Sequence, residues 1–162
     1  MPSSTSLPVT LREITAATVR EITDLAVSTE QQRFVASNAV SLAQALFHEE
    51  AWFRAIYVGE SPGGFVMLYD ESLRKAPPAA PDVTLWRFMV ATKYQRQGVG
   101  RSALAQVIEH VRRKNVFSTL RTSYVPGPNC PEPFYASLGF RPTGELDENE
   151  IVLALPLLPR VT

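Results

Sequence analysis

The sequence predicts an α/β protein, with helices packed on one mixed sheet in an α+β arrangement, and three observations carry that reading. The back half alternates β-rich and amphipathic segments in the order strand, helix, strand, helix, strand. The front half has two amphipathic stretches followed by two β-rich runs joined by Pro and Gly. With 162 residues and 45% apolar side chains, the chain fills one core comfortably and two poorly, so residues 1–162 read as a single domain.

In chain order, "PVTLREI" alternates enough for a first strand through Val9, Leu11 and Ile14. "TAATVREITDLAVS" reads as a helix with Val19, Ile22, Leu25 and Ala26 on one face and Thr15 as N-cap. "SLAQALFHEEA" reads as a second helix, opened by Ser41 and ending near Ala51. "WFRAIYVG" and "FVMLYDE" are strands of a hairpin whose turn is expected at "SPGG". "SLRKAPPAAPD" is a loop, because its prolines permit neither helix nor central strand. "VTLWRFMV" is a strand, "GVGRSALAQVIEHVRRK" a helix, "FSTLRTSYV" a strand, "PEPFYASLG" a short helix and "EIVLALPL" a last strand. The acidic "GELDENE" reads as a solvated turn, or as a lure for a cationic ligand if it borders a cleft.

Within "VTLWRFMV" the apolar set changes face: Val83 and Leu85 are odd, Phe88 and Val90 even. Strict alternation of faces forbids this in a regular strand with one buried side. Either both faces are buried, or a β-bulge redirects the strand end.

The stretch that asks for a function follows, "YQRQGVGRSAL" at residues 94–104. Two glycines near a helix start cost about 1 kcal/mol each relative to Ala in a helix interior, so something compensates. The long helix buries Val99, Ala103, Leu104, Val107, Ile108 and Val111, and gathers Arg112, Arg113 and Lys114 at its C-terminal end. Its N-terminal end is electropositive, with free backbone N–H groups that Gly98 and Gly100 leave uncovered and with Arg96 and Arg101 nearby. Such a turn suits a phosphate or diphosphate; a turn with only a packing role is the plainer alternative. There is no Gly-Lys-Ser/Thr for a P-loop and no third glycine at dinucleotide-binding spacing.

Gln95-x-x-Gly98-x-Gly100 after a strand ending "FMV", together with "PEPFYASLGFRPTGE" downstream, resembles the two signature segments of the GNAT-type N-acetyltransferases. The order of elements fits that family over nearly the whole chain, and the "GF-x-PTGE" ending is similar to a small bacterial diamine or polyamine acetyltransferase-like group. The resemblance implies a GNAT-like fold, a mostly antiparallel mixed sheet flanked by helices and splayed between its fourth and fifth strands. It implies acetyl-CoA as cosubstrate, with the backbone of Phe88, Met89 and Val90 pairing with the pantetheine arm like an added strand. Gln95, Arg96, Gln97, Gly98, Val99, Gly100, Arg101 and Ser102 would wrap the diphosphate, and Asn129 sits where the family often places a cofactor-contacting asparagine. A homodimer is also implied.

Amine acetylation needs a neutral amine, a donor to the developing oxyanion and a proton for the departing thiolate. Tyr135 is the expected general acid; the alternative is that it only packs the short helix, beside Phe134. The N–H of Val90 is the expected oxyanion donor. The strand ahead of the loop carries Trp86 and Arg87 where related polyamine enzymes often have an acid, so the base is left to a water chain or to Glu49, Glu50, Asp70 or Glu71.

No metal is expected: His48 and His110 lack ligand spacing, and His110 reads as exposed on the long helix. Cys130 has no evident base and reads as inert, and Gly139 as a helix C-cap. Sixteen basic and sixteen acidic residues leave no net charge to favour nucleic acid or a membrane surface. A lone cysteine and the lack of an apolar signal core or membrane-length run suit a cytoplasmic protein. The expected activity is direct acetyl transfer from acetyl-CoA to a primary amine of a small molecule. The alternatives are a non-catalytic acyl-CoA sensor of the same fold and an acetyltransferase of protein N-termini or lysines.

Overall fold

A computed structural model describes residues 6–32 and 36–157. A seven-stranded sheet runs in the order β1-β2-β3-β4-β5-β7-β6. Its strands are β1 (Val9–Arg12), β2 (Ala51–Val58), β3 (Ser61–Asp70), β4 (Val83–Val90), β5 (Thr119–Tyr124), β6 (Arg141–Asp147) and β7 (Glu150–Pro156). All neighbours pair antiparallel except β4 and β5, which are parallel.

Helices cover both faces. The long helix α3 (Val99–Lys114) and the short α4 (Glu132–Ser137) pack on one side, over Val66, Leu68, Val83, Leu85 and Leu153. On the other side α1 (Val19–Thr23) and α2 (Asn38–Ala45) cover Ala55, Phe65, Met67 and Met89. The six α3 residues expected inward are the six that are buried, and Gln106 Nε2 ties α3 to β1 by donating to the Val9 carbonyl at 2.8 Å.

Both explanations of the face change in β4 hold. Met67 pairs with Arg87 but Leu68 with Leu85, so Trp86 is an extra residue, a β-bulge. Val83, Leu85, Phe88 and Val90 thereby all reach the α3 side, while Trp86 and Met89 pack on the α1–α2 side. Downstream, Gly139 (φ +102°) ends α4: its N–H donates to the Ala136 carbonyl at 3.1 Å and that of Phe140 to Tyr135 at 3.2 Å.

The structure corrects several boundaries. α1 is shorter than expected, because the Thr18 hydroxyl accepts from the Thr15 N–H at 3.0 Å and holds residues 15–18 in a turn of their own. Ser37, rather than Ser41, caps α2 by accepting from the Val40 N–H at 3.2 Å; Ser41 is buried inside the helix, and Ala51 already belongs to β2. The β2–β3 turn is at Gly59 (φ +59°) and Glu60, so Pro62, Gly63 and Gly64 lie in β3. Gly63 is a second bulge, since Ile56 faces Gly64 and Tyr57 faces Pro62. Gly64 is needed for close approach: a Cβ there would lie 2.4 Å from the Met89 carbonyl oxygen. "RPTGELD" is a seventh strand and not a solvated turn; it is an exposed edge strand whose Pro and Gly hide its pairing in the sequence.

Candidate active site

The site begins where the sheet opens. β4 and β5 share one paired position, Thr84 with Arg121, after which both continue without further pairing. The Thr122 hydroxyl donates to the Leu85 carbonyl at 3.3 Å just beyond it, and the strands then part. The result is a cleft of about 1240 Å³ at the carboxyl ends of the two parallel strands, where open sheets characteristically bind ligands.

One wall is the end of β4. The N–H of Ala91 donates to the Gly63 carbonyl of β3 at 2.8 Å. Because successive residues of an antiparallel ladder aim their N–H groups at opposite edges, Val90 and Phe88 aim theirs at the opened β5 side. The open edge therefore offers backbone groups at the spacing of a strand. The Val90 carbonyl is already taken, accepting from Gln95 Nε2 at 2.8 Å.

The turn between β4 and α3 forms the floor. A 3₁₀ turn, Thr92–Tyr94, leads into Arg96 (φ +62°) and Gly98 (φ +79°), both left-handed. Gly98 is the N-cap residue of α3, and a Cβ on it would meet nothing within 4 Å, since it faces the open cleft. At Gly100 a Cβ would make only ordinary contact, with Phe134 at 3.5 Å and Val90 at 3.6 Å, so packing does not require a glycine there. The Ser102 N–H is committed to the Gly98 carbonyl at 3.0 Å, which leaves the amides ahead of it as the donors a ligand can use.

Of the residues expected to hold the cofactor, Phe88, Met89, Val90, Gln95, Arg96, Gly98, Gly100, Arg101 and Asn129 line the cleft, as does Tyr135. Gln97, Val99 and Ser102 do not. The Gln97 amide donates to the Lys93 carbonyl at 2.8 Å, and Val99 is buried in the core. Gln95 acts through its side chain on the protein itself, pairing with Gln31 as well as Val90. Arg101 Nη1 reaches the Ser137 hydroxyl of α4 at 3.3 Å.

Tyr135 both packs and faces the cleft. It meets Phe140 edge-on at 5.5 Å, and its neighbour Phe134 stacks on Phe88 at 5.9 Å. Burial pushes its phenol up to about 12, with the Thr122 hydroxyl pulling the other way. It is therefore neutral at any ordinary pH.

The expected bases lie elsewhere. Asp70 is buried, accepts from the Ser72 N–H at 2.8 Å and is ion-paired with Lys114. Arg74 holds Glu50 at 2.8 Å and keeps its carboxyl below the ordinary range, and Glu71 is 3.7 Å from the same arginine. None of these, nor Glu49, lines the cleft; its carboxylates are Asp147, Glu148 and Glu150, from the β6–β7 turn. Glu150 is half-buried and bonded to the Ser123 hydroxyl.

His110 also departs from expectation. It is half-buried, stacked on Trp52 at 4.2 Å, and desolvation, with the charges of Lys114 and Arg54, lowers its pKa. Sequence reasoning had no signal for Gln31, Gln44, Thr122 or Ser123, which long-range folding alone brings to the cleft.

The parted strands and the bare helix start together leave one continuous cleft that suits an extended ligand ending in an anion. Residues 18–140 match the profile of the acetyltransferase (GNAT) family, and the chain belongs to that family. Among curated proteins, none matches the chain significantly. Among solved structures, it is similar to the ribosomal-protein-S18-alanine N-acetyltransferase of Escherichia coli, with 21% identity, 93% of this chain and 94% of that one covered, and a TM-score of 0.66. The PaiA N-acetyltransferase of Thermoplasma acidophilum in complex with coenzyme A is 13% identical, with 93% and 99% covered and a TM-score of 0.69. A GNAT acetyltransferase of Elizabethkingia anophelis with acetyl-CoA bound is 17% identical, with 92% and 98% covered and a TM-score of 0.62. At these identities the likeness is one of fold.

Proposed function

We propose that the chain transfers the acetyl group of acetyl-CoA directly to a primary amine of a small molecule. The observation that carries this is the parting of β4 and β5 beside the Gly98 turn. It supplies an unpaired strand edge for an extended pantetheine arm and free helix-start amides for a diphosphate, in one continuous cleft. A cleft of about 1240 Å³ that must take that arm as well leaves room for a small acceptor.

Acetyl-CoA supplies an activated thioester carbonyl. The chain's residues then have three tasks. The Val90 N–H, aimed into the cleft, donates to the carbonyl oxygen as negative charge develops there. The acceptor's ammonium gives up one proton to solvent water to become a nucleophile. Glu150, facing the amine, takes the second proton that nitrogen loses as the N–C bond forms. Tyr135 donates to the sulfur as the C–S bond breaks.

A phenol raised to about 12 does not ionise ahead of the reaction, since a thiol ordinarily titrates near ~8.5. It hydrogen-bonds the departing sulfur and passes its proton only as charge builds there, because the burial that disfavours phenolate also disfavours free thiolate. The test is release of CoA thiol from acetyl-CoA over a panel of amines, with mass detection of the N-acetyl product. Binding of acetyl-CoA without turnover of any amine would support the sensor reading instead.

A further inference from the structure

We infer that the acceptor carries an anionic group, such as a carboxylate, beside its amine, and that Arg87 is the residue that recognises it. This rests on the acetyltransferase reading of the cleft given above. It starts from the bulge in β4. The extra residue at Trp86 lets Trp86 and Arg87 both project toward the α2 side of the sheet. Arg87 accordingly reaches α2, where Nη2 donates to Gln44 Oε1 at 3.0 Å, and its guanidinium lies 5.2 Å from the Trp86 ring. Arg87, Gln44 and Glu150 all line the cleft.

What sets Arg87 apart is a buried nitrogen without a partner on a guanidinium that also has no counter-ion. Arg12, Arg54, Arg74, Arg113 and Arg121 each have a carboxylate within 4.0 Å, whereas Arg87 has none among the described residues. Arg20, Arg96, Arg101, Arg112 and Arg141 lack a nearby carboxylate too, but none of them has such a nitrogen among the described residues. Nη1 donates to the Trp86 carbonyl at 3.0 Å, and Nε is buried without a partner. A half-buried guanidinium left with neutral acceptors is costly unless something anionic completes it. Desolvation lowers its pKa, and Glu150 opposes that only at longer range.

The cleft therefore presents a carboxylate on the β7 arm and an unpaired planar cation on the β4 arm. An acceptor bearing both charges satisfies both, with its ammonium entering against Glu150 and its anion on the guanidinium fork. A diamine would instead bring a second positive charge to Arg87, which argues against the polyamine-like subgroup.

The experiment measures kcat/KM for ω-amino acids from glycine to 6-aminohexanoate, each against the n-alkylamine of the same chain length. At one or more lengths the amino acid should win by about tenfold to a hundredfold, the range for a hydrogen bond to a charged group. That ratio should collapse toward one in Arg87→Met, mainly through KM, and recover in part in Arg87→Lys. A wild-type ratio of one or below at every length, or a ratio that survives Arg87→Met, overturns the inference. If neither kind of amine is acetylated, it is the transfer reading that fails. The anion reading is then decided by titrating N-acetyl-ω-amino acids and N-acetyl-alkylamines into the protein saturated with CoA. Tighter binding of the acids, lost in Arg87→Met, sustains it; equal binding overturns it.

Discussion

Gln31 and Gln95 hold each other by two amide hydrogen bonds, 2.8 and 3.1 Å long, across 64 residues of sequence. Gln95 also donates to the Val90 carbonyl at 2.8 Å, so one side chain links the segment after α1, the glycine turn and the end of β4. The Gln95 side chain thus sets the shape of the turn that lines the cleft. Gln95→Ala is expected to weaken acetyl-CoA binding about tenfold and Gln31→Ala about threefold, as loss of neutral hydrogen bonds implies. The double variant should be no weaker than Gln95→Ala alone, because the two share one interaction. Calorimetric titration checks this; additive losses would mean that each contacts the ligand separately.

Gly64 should tolerate no side chain. A Cβ placed 2.4 Å from the Met89 carbonyl oxygen forces β3 and β4 apart. Gly64→Ala is expected to destabilise by about 3 kcal/mol, typical of overpacking, and to lower the melting temperature by roughly 6–12 °C. Gly100→Ala should have the opposite sign, gaining up to about 1 kcal/mol in the helix, since its Cβ makes only ordinary contact with Phe134. Thermal melts of the two variants separate backbone approach from ligand clearance.

Tyr135→Phe should lower kcat by about 10²-fold or more, as removal of a general acid does, while acetyl-CoA affinity changes little. A second readout concerns stability alone. The unfolded phenol titrates near ~10 and the folded one at about 12, so between those values the unfolded state has lost the proton that the native state keeps. Stability then falls as pH rises through that window, by about 2–3 kcal/mol at its upper end. Urea melts from pH 9 upward should show a steeper loss for wild type than for Tyr135→Phe. Equal slopes would mean that the phenol is not the buried group described here.

Glu150→Gln should reduce kcat/KM by about 10²-fold, whereas Glu50→Gln should act on stability, because Glu50 serves Arg74 and not the cleft. Paired rate and denaturation measurements assign the base to the β7 arm or return it to the other end of the sheet.

The sequence exposed the parts of this architecture whose signals are local. The α3 face was legible because its apolar residues from Val99 onward repeat at helical spacing. The face change between Leu85 and Phe88 was legible too, but only the register with β3 shows the bulge beside the burial of both faces. β6 was hidden, since an edge strand with every residue exposed shows no apolar alternation. The cleft's carboxylates were misplaced for a related reason. Asp70 and Glu50 stand out beside β-rich runs, but only the sheet order reveals that they face Lys114 and Arg74, while Glu150 comes beside β5 through β7 pairing. Arg87 registered in the sequence only as the absence of an acid.

The most direct measurement is a crystal structure of the chain with coenzyme A. The diphosphate should lie within about 3 Å of main-chain N–H groups in residues 98–101, with the pantetheine arm along Phe88 and Val90 and the thiol near Tyr135. Coenzyme A bound elsewhere, with no oxygen at those amides, would contradict it.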